Sequence, residues 1–227
     1  MSEHEGHRAR LRERYAQTGF DGFADHEVLE LLLTYCIPRR DTNPLAHRLI
    51  ERFGSLHGVM CADQEELKRV DGMGENSAAF VSMLLPLLRK VELNGEDERL
   101  LLDTYGKLKE YCRKLFIGEK QEVLYLICLD PSLHLIRPVL LSRGTVDGIA
   151  ATARLVAGEA MKWNASGAVL THNHPSGNPT PSQEDIRFTE DVRRALNALD
   201  ITLHDHIIVG RTALSLTEAQ RSAEEEP

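Results

Sequence analysis

Two histidines and an aspartate that could hold a metal ion lie in the stretch THNHPSGNPTPSQED, residues 171–185. His172 and His174 are separated by one residue and follow GAVLT, which is typical of a buried strand. Side chains alternate between the faces of a strand, so both imidazoles are expected on one face, about 7 Å apart at the backbone and able to reach one ion. Two histidines and one carboxylate, here Asp185, leave one position of a tetrahedral zinc ion open for water, as in catalytic zinc sites.

Ser182 and Asp185 also fit a structural role. A serine followed three residues later by an acid resembles a capping box, in which both side chains satisfy backbone amides at a helix start. The two roles are compatible. An acid in the first helical turn is kept ionised by the helix dipole, and an ionised carboxylate is what a metal ion binds. The rigid segment PSGNPTPS is expected to bring this helix start back to the strand end.

The spacing of these residues resembles a known motif. His-x-His, seven residues, Ser, two residues and Asp is similar to the JAMM (MPN/JAB) motif of metallo-isopeptidases, and the core HNHPSG looks like that of the bacterial RadC family (UPF0758). The resemblance extends over nearly the whole chain and implies a Zn²⁺ cofactor held by His172, His174 and Asp185. It also implies that Ser182 hydrogen-bonds to the metal-bound water or to the developing oxyanion.

The superfamily motif includes a glutamate at the start of an upstream strand, and Glu122 holds that position in EVLYLICLD. A carboxylate can act as the base there, because zinc lowers the pKa of bound water to about 7. Without the downstream motif, Glu122 would be interpreted as an exposed carboxylate at a strand end. Glu119 is the alternative candidate for the base.

His204 and His206 flank Asp205 in the last predicted strand and repeat the His-x-His spacing. No third ligand follows them, so ligation of a metal by this pair is not favoured. One of them is interpreted as a core histidine or as a hydrogen-bonding partner of a ligand.

The first ninety residues are predicted to be helical. Asn43 before Pro44 is the pattern of an N-cap, Gly54 is expected to end that helix, and Asp63 with Glu66 predicts a capping box. The stretch VDGMGENSAAFVSMLL looks like a helix-hairpin-helix, in which backbone amides around Gly72–Gly74 would face a DNA phosphate. Two helices joined by a glycine turn fit the same pattern, and the acidic Asp71 and Glu75 weaken the case for DNA.

After a polar linker, helices and strands alternate. The predicted order is a helix, a hairpin of strands 122–129 and 133–141 around Asp130-Pro131-Ser132, a helix over 148–164, a strand, a helix over 182–199 and a last strand over 201–210. The fold class is therefore α+β: a helical, helix-hairpin-helix-like domain over 1–92, a linker over 93–102, and over 103–221 a mixed sheet flanked by helices. A disordered tail is expected over 222–227. The resemblance implies that the second domain has the MPN/JAB, cytidine-deaminase-like fold.

The charge, the cysteines and the apolar runs argue against several classes of protein. The 227 residues carry a net charge of -8, and residues 1–90 hold 12 basic against 14 acidic side chains. This balance argues against tight nonspecific binding of nucleic acid. The four cysteines form no Cys-x-x-Cys pair, which favours a reducing, cytoplasmic compartment, and the longest apolar run, VLYLICL, is too short to span a membrane.

Two functions from different classes follow. The first is a zinc-dependent hydrolase of the JAMM type, acting on an amide or isopeptide bond of an unknown protein or peptide. The alternative is a DNA-associated repair or recombination accessory protein, whose helical domain makes weak DNA contacts and whose zinc domain is a scaffold for a partner. A zinc deaminase is disfavoured, because His-x-Glu with a later Pro-Cys-x-x-Cys is absent.

Overall fold

A computed structural model describes residues 3–94, 100–144 and 151–224. The chain divides into two units, Met1–Leu88 and Arg89–Pro227. The predicted domain limits, 1–92 and 103–221, stay predictions. The predicted linker, 93–102, includes residues 95–99, which lie outside the described residues. The tail that was expected to be disordered, 222–227, begins within a helix that continues to Glu224, and residues 225–227 lie outside the described residues.

Helices make up the amino-terminal part of the chain, as predicted. They are α1 (Glu3–Thr18), α2 (Asp25–Cys36), α3 (Asn43–Phe53), α4 (Leu56–Cys61), α5 (Gln64–Lys68) and α6 (Glu75–Asn94). Apolar residues at helical spacing, such as Leu29 and Leu33 of α2 and Leu45 and Leu49 of α3, form the core of the first unit.

The capping predictions in this unit hold with one correction. Gly54 ends α3 in the left-handed conformation, with φ of 81°, and Asp63 and Glu66 form the capping box of α5. Asn43 is not the N-cap of α3. Thr42 holds that position, and Asn43 is the first helical residue, so the helix begins one residue earlier than predicted.

In the second unit, the described residues form four more helices and a sheet. Its elements are α7 (Tyr105–Leu115), β1 (Val123–Leu129), β2 (Leu135–Arg143), α8 (Ala153–Lys162), β3 (Gly167–Asn173), α9 (Gln183–Asn197), β4 (Thr202–Val209), β5 (Ala213–Ser215) and α10 (Leu216–Glu224).

The sheet is mixed, with strand order β2-β1-β3-β4-β5. β1 pairs antiparallel with both β2 and β3, β3 is parallel to β4, and β4 is antiparallel to β5. The parallel pair requires a crossover, which α9 supplies. β1 and β3 are buried along their whole length, which explains their continuous apolar sequences.

Helices cover both faces of the sheet. On one face, Leu124 and Leu170 pack with residues of α8 and α9, such as Val156 and Val192. On the other face, Val123, Tyr125 and Val169 pack with residues of α7, such as Leu108 and Cys112. The predicted fold class, a mixed sheet flanked by helices after an all-helical segment, is confirmed.

Several boundaries differ from the predicted ones. β2 begins at Leu135 and not at Leu133, because Leu133 has a φ of 64° and belongs to the turn, where Asp130 Oδ1 accepts the amides of Ser132 and His134. α8 begins at Ala153, and the first residues of the helix predicted over 148–164 lie outside the described residues. β5 and α10 are additional elements after the last predicted strand.

Among the described residues, no helix combines the length and the apolar character needed to cross a lipid bilayer.

Candidate metal centre

β3 and the residue after it carry the two histidines of the predicted site. His172 lies in β3 and is fully buried, and His174 directly follows the strand. The amide of His174 donates to Val209 O at 2.8 Å, so the chain stays extended beyond β3 and the two imidazoles lie on the same face. Their Nε2 atoms are 2.9 Å apart.

The loop between β3 and α9 is held against the end of β4. Gly177, with a φ of 82°, accepts the amide of Arg211 through its carbonyl oxygen at 2.7 Å. A Cβ atom at Gly210 would lie only 2.4 Å from Gly177 O, so glycine is required for this approach. The turn returns the chain to the strand end, where α9 begins.

Asp185 serves both as a capping residue and as a potential ligand. Ser182 is the N-cap of α9, and the predicted capping box is present. Oδ2 of Asp185 accepts the amide and the hydroxyl of Ser182, each at 2.7 Å. Oδ1 lies 3.3 Å from Nε2 of His172. The cap therefore uses one carboxylate oxygen and leaves the other directed at the histidines.

The three side chains converge on one point. Within the part of the chain that the structure describes, His172, His174 and Asp185 are the one group of such residues whose ligand atoms all lie within 4.8 Å of one another. Asp185 is 5% exposed, so its carboxylate is held in place with little water around it. Ser182 lies next to this point, but its hydroxyl is donated to Asp185.

The chemistry of these atoms fits a divalent cation such as Zn²⁺. Nδ1 of His174 lies 2.7 Å from the carbonyl oxygen of Asn178 and must donate to it, so in the neutral form of this ring the lone pair is on Nε2. Burial lowers the pKa of His172 to about 4, so this imidazole is neutral at pH 7. Two imidazole nitrogens and one carboxylate around one point are the donor set of a catalytic zinc site.

Glu122 directly precedes β1 and is half buried. Leu124 is paired with His172 across the antiparallel strands, so Glu122, two residues earlier, lies on the face of the sheet that carries the two histidines. Burial raises the pKa of Glu122, the neighbouring His174 lowers it, and the negative charge of Asp185 raises it. A carboxyl group with a raised pKa is a stronger base than an exposed one.

Asn173, between the two histidines, holds the backbone on either side of Glu122. Its Oδ1 accepts the amide of Val123 at 2.8 Å, and its Nδ2 donates to the carbonyl oxygen of Gln121 at 2.9 Å. The carbonyl oxygen of Glu122 itself accepts the amide of Gly144 at 2.8 Å. The position of Glu122 is thus tied to the strand that carries the histidines.

Glu119, the alternative base, has a different environment. Its side chain is 7% exposed and forms ion pairs with the guanidinium groups of Arg89 and Arg143. Arg89 also donates to the hydroxyl of Tyr125. Because two guanidinium groups occupy its oxygens, Glu119 is not directed at the histidines, and its evident role is to link three segments of the second unit.

Three consecutive residues of β4, His204, Asp205 and His206, have different roles. His204 lies outside the metal group, and burial lowers its pKa. Asp205 is fully buried and accepts the hydroxyl of Ser215 at 2.5 Å and the amide of Thr217 at 3.1 Å, so it ties the end of the chain to the sheet. His206 contacts His172, with 2.8 Å between its Nε2 and Nδ1 of His172. The sequence interpretation of one histidine as a partner of a ligand is consistent with this geometry.

Sequence reasoning missed the roles of Asn173, Thr189 and Asp205. Asn173 interrupts a His-x-His pair inside a buried strand, and a buried amide needs several partners, which is a signal that could have been used. Thr189 lies four residues after Asp185 and therefore on the same face of α9. Its hydroxyl contact with Nδ1 of His206, at 2.6 Å, depends on how α9 packs against β4.

The mixed sheet, the His-x-His strand end and the aspartate at the start of α9 define a JAB-type domain. Comparison with protein families agrees: residues 102–222 match the RadC-like JAB domain, and residues 4–79 match the UPF0758 N-terminal family. The chain therefore belongs to the RadC family, UPF0758, as the sequence resemblance implied.

Curated relatives cover almost the whole chain. UPF0758 protein FN0909 of Fusobacterium nucleatum is 39% identical over 222 residues, which span 94% of this chain and 96% of the relative. UPF0758 protein SPO0054 of Ruegeria pomeroyi is 39% identical over 206 residues, or 91% and 92% of the two chains. A UPF0758 protein of Rhodobacter capsulatus is 36% identical over 201 residues, or 88% and 94%.

Proposed function

We propose that this protein is a Zn²⁺-dependent hydrolase of the JAMM type that cleaves an amide or isopeptide bond in a protein or peptide substrate. The observation that carries the proposal is the convergence of two imidazoles and one carboxylate beside a second, half-buried carboxylate. The JAB superfamily includes metallohydrolases, which agrees with this chemistry.

His172, His174 and Asp185 would hold the metal ion. A Zn²⁺ ion bound there would supply Lewis acidity, which makes a water molecule a nucleophile at neutral pH and polarises the carbonyl of the scissile bond. The carboxylate of Asp185 is held in place by hydrogen bonds from the amide and the hydroxyl of Ser182 at the N-terminus of α9.

Glu122 would accept the proton of the attacking water on its carboxylate. The same group would then donate that proton to the nitrogen of the departing amine, so that the carboxylate is regenerated. Its raised pKa suits the first step, because a carboxylate with a raised pKa accepts a proton more readily than an exposed one. The hydrogen bonds from Asn173 keep its backbone beside the histidines.

Ser182 would contribute a hydrogen bond to the water or to the oxyanion that forms from the substrate carbonyl. In the structure its single hydroxyl proton is donated to Oδ2 of Asp185. The hydroxyl must therefore turn away from Asp185 to act on the substrate, while its amide continues to hold the carboxylate.

The test is a screen of peptide and isopeptide substrates with protein loaded with one equivalent of Zn²⁺ and with protein stripped by a chelator. We expect cleavage only by the loaded protein, with activity returning when Zn²⁺ is added back. Equal cleavage by loaded and stripped protein, or failure of the wild-type chain to bind Zn²⁺, would contradict the proposal. Such a screen would also identify the class of substrate. The expected compartment is the cytoplasm.

A second candidate function, contact with DNA through the helical unit, is favoured by one observation. Gly72 has a φ of 95° in the turn before α6, and a Cβ atom there would lie 3.2 Å from Nη2 of Arg48 and 3.7 Å from Nη2 of Arg40. Two guanidinium groups next to a glycine turn could contact a phosphate. Arg48 already donates to the carbonyl oxygen of Asp71, so this contact would be weak.

A further inference from the structure

His172 makes a second contact that leads away from the metal centre into the core. Its Nδ1 is 2.8 Å from Nε2 of His206, a residue with no exposed surface. Nδ1 of His206 is 2.6 Å from Oγ1 of Thr189, and this hydroxyl donates to the carbonyl oxygen of Asp185 at 2.6 Å. A continuous chain of contacts thus runs from one ligand of the predicted site to the backbone of another.

The protons available to this chain can be counted. It has four contacts: Asp185 to Thr189, Thr189 to His206, His206 to His172, and His172 to His174. Thr189, His206 and His172 supply one proton each when the imidazoles are neutral. The ring proton of His174 is donated to Asn178, and a carbonyl oxygen has none to give. Three protons therefore serve four contacts, and at one contact two lone pairs face each other.

A cation held by His172 and His174 would resolve this shortage. It would remove the need for a proton between their Nε2 atoms, which are 2.9 Å apart. The three protons are then assigned without ambiguity. Thr189 donates to Asp185, His206 donates from Nδ1 to Thr189, and His172 donates from Nδ1 to His206.

We propose that His206 and Thr189 are positioning residues that hold the proton of His172 on Nδ1 and so keep Nε2 free for the metal ion. The inference rests on the proposed function, because it concerns the same metal centre. Ligating histidines commonly donate their second N–H to a carboxylate, a carbonyl or water. Here the acceptor is a buried imidazole, whose own tautomer must be held by a further group, and Thr189 is that group.

The arrangement couples two ligands through one helix. α9 contributes Asp185 to the metal centre and, one turn later, Thr189 to the chain of contacts. A shift of α9 would therefore displace Asp185. It would also break the contact of Thr189 with His206, so that the proton of His172 would no longer be held on Nδ1.

The first measurement is Zn²⁺ affinity of the full chain, by competition with a chromophoric chelator. We expect His206→Leu, which removes the acceptor, to weaken binding by about 10- to 100-fold, as for other partners of metal-ligating histidines. His206→Gln, whose amide oxygen can accept from Nδ1 of His172, should recover most of the affinity. Thr189→Val should weaken binding by a smaller factor, and Thr189→Ser should resemble the wild type. His204→Leu, on the same strand but outside the chain of contacts, is the matched control.

The second measurement separates a tautomer effect from a general structural one. Long-range ¹H–¹⁵N NMR spectra of the metal-free protein, labelled with ¹⁵N in histidine, report which nitrogen of His172 is protonated. We expect the Nδ1–H form to dominate in the wild type and in Thr189→Ser, and to lose population in the nearly isosteric Thr189→Val. The inference is overturned if Thr189→Val leaves both the tautomer and the Zn²⁺ affinity unchanged. If the wild type binds no Zn²⁺, the proposed function fails, whereas the NMR comparison still tests the chain of contacts.

Discussion

The side chain of Asn173 holds the backbone on both sides of Glu122. One end of the amide accepts from Val123 at 2.8 Å and the other donates to Gln121 at 2.9 Å. The residue between the two predicted zinc ligands therefore sets the position of the proposed base, although Asn173 ends β3 and Glu122 precedes β1.

Asn173→Ala should damage catalysis more than metal binding. The variant leaves the amide of Val123 without its partner in a buried site, which we expect to cost about 1–3 kcal/mol of stability. Zn²⁺ content should stay near one per chain, because His172 belongs to a strand that is paired on both sides and the amide of His174 donates to Val209 O. The checks are urea unfolding, metal analysis and turnover, with Asn197→Ala at the exposed end of α9 as the control. Wild-type turnover in a folded Asn173→Ala protein would show that Glu122 needs no such support.

The predicted ligands can be tested by metal content alone. His172→Ala and Asp185→Ala should abolish stoichiometric Zn²⁺, because each leaves only two protein ligands. His204→Ala should retain it, since His204 lies outside the group of converging side chains. Elemental analysis of the purified proteins gives the answer. Equal Zn²⁺ in all three variants would rule out this assignment.

Glu122→Gln should keep its Zn²⁺ and lose most of its activity. The amide preserves the size of the side chain but cannot accept the proton, so turnover should fall by roughly 10²- to 10⁴-fold, the usual contribution of a positioned base. Ser182→Ala should also retain Zn²⁺ and lose a smaller factor, because only one hydrogen bond to the transition state is at stake. The measurements are Zn²⁺ content and turnover of a substrate from the screen.

Two outcomes of that experiment would change the assignment. If Glu122→Gln loses Zn²⁺, Glu122 is a ligand and not the base. If it keeps both Zn²⁺ and full activity, Glu119 becomes the residue to test, despite its ion pairs with Arg89 and Arg143.

The metal-free protein should be sensitive to mild acid. Burial lowers the pKa of His172 to about 4 and that of His206 well below its ordinary value. The unfolded chain protonates both near pH 6.5, so below that pH it binds more protons than the folded chain. The two buried, neutral histidines therefore leave the free energy of unfolding unreduced above pH 6.5. As the pH falls from 6.5 toward 4, the free energy of unfolding decreases. Urea midpoints of chelator-treated protein at pH 7.5 and 5.0 check this, and His206→Gln should show a smaller difference. A urea midpoint that is higher at pH 5.0 than at pH 7.5 would contradict the expected loss of stability in acid.

Any DNA binding should be weak and should depend on Arg40. If the glycine turn at Gly72 contacts only two or three phosphates, log K against log salt should have a slope of about -2 to -3. Arg40→Gln in the full chain should weaken binding, whereas Arg154→Gln, an exposed change in the second unit, should not. Fluorescence titration of labelled duplex DNA at two salt concentrations is the measurement. Nanomolar binding at physiological salt, or equal loss in both variants, would contradict a small contact at this turn.

The sequence by itself determined which residues are candidates for the metal centre. Strand alternation places His172 and His174 on one face, and the capping box places Asp185 at the start of a helix, because both patterns depend on neighbours only a few residues away. The helical first unit, the hairpin and the alternation of helices and strands were predictable for the same reason. The three side chains do meet in the structure, and their role as ligands stays a prediction.

Only the tertiary structure decided which groups support that centre. His206 is 34 residues from His172 along the chain and reaches it because β3 pairs with β4. Asn173 reaches Gln121 and Val123 through the pairing of β3 with β1. Glu119 differs from Glu122 because it forms ion pairs with Arg89 and Arg143. Both arginines are distant in sequence, so no local pattern predicts these contacts. Such contacts follow from strand register and helix packing, which bring distant segments together and cannot be read from the spacing of residues within any one of them.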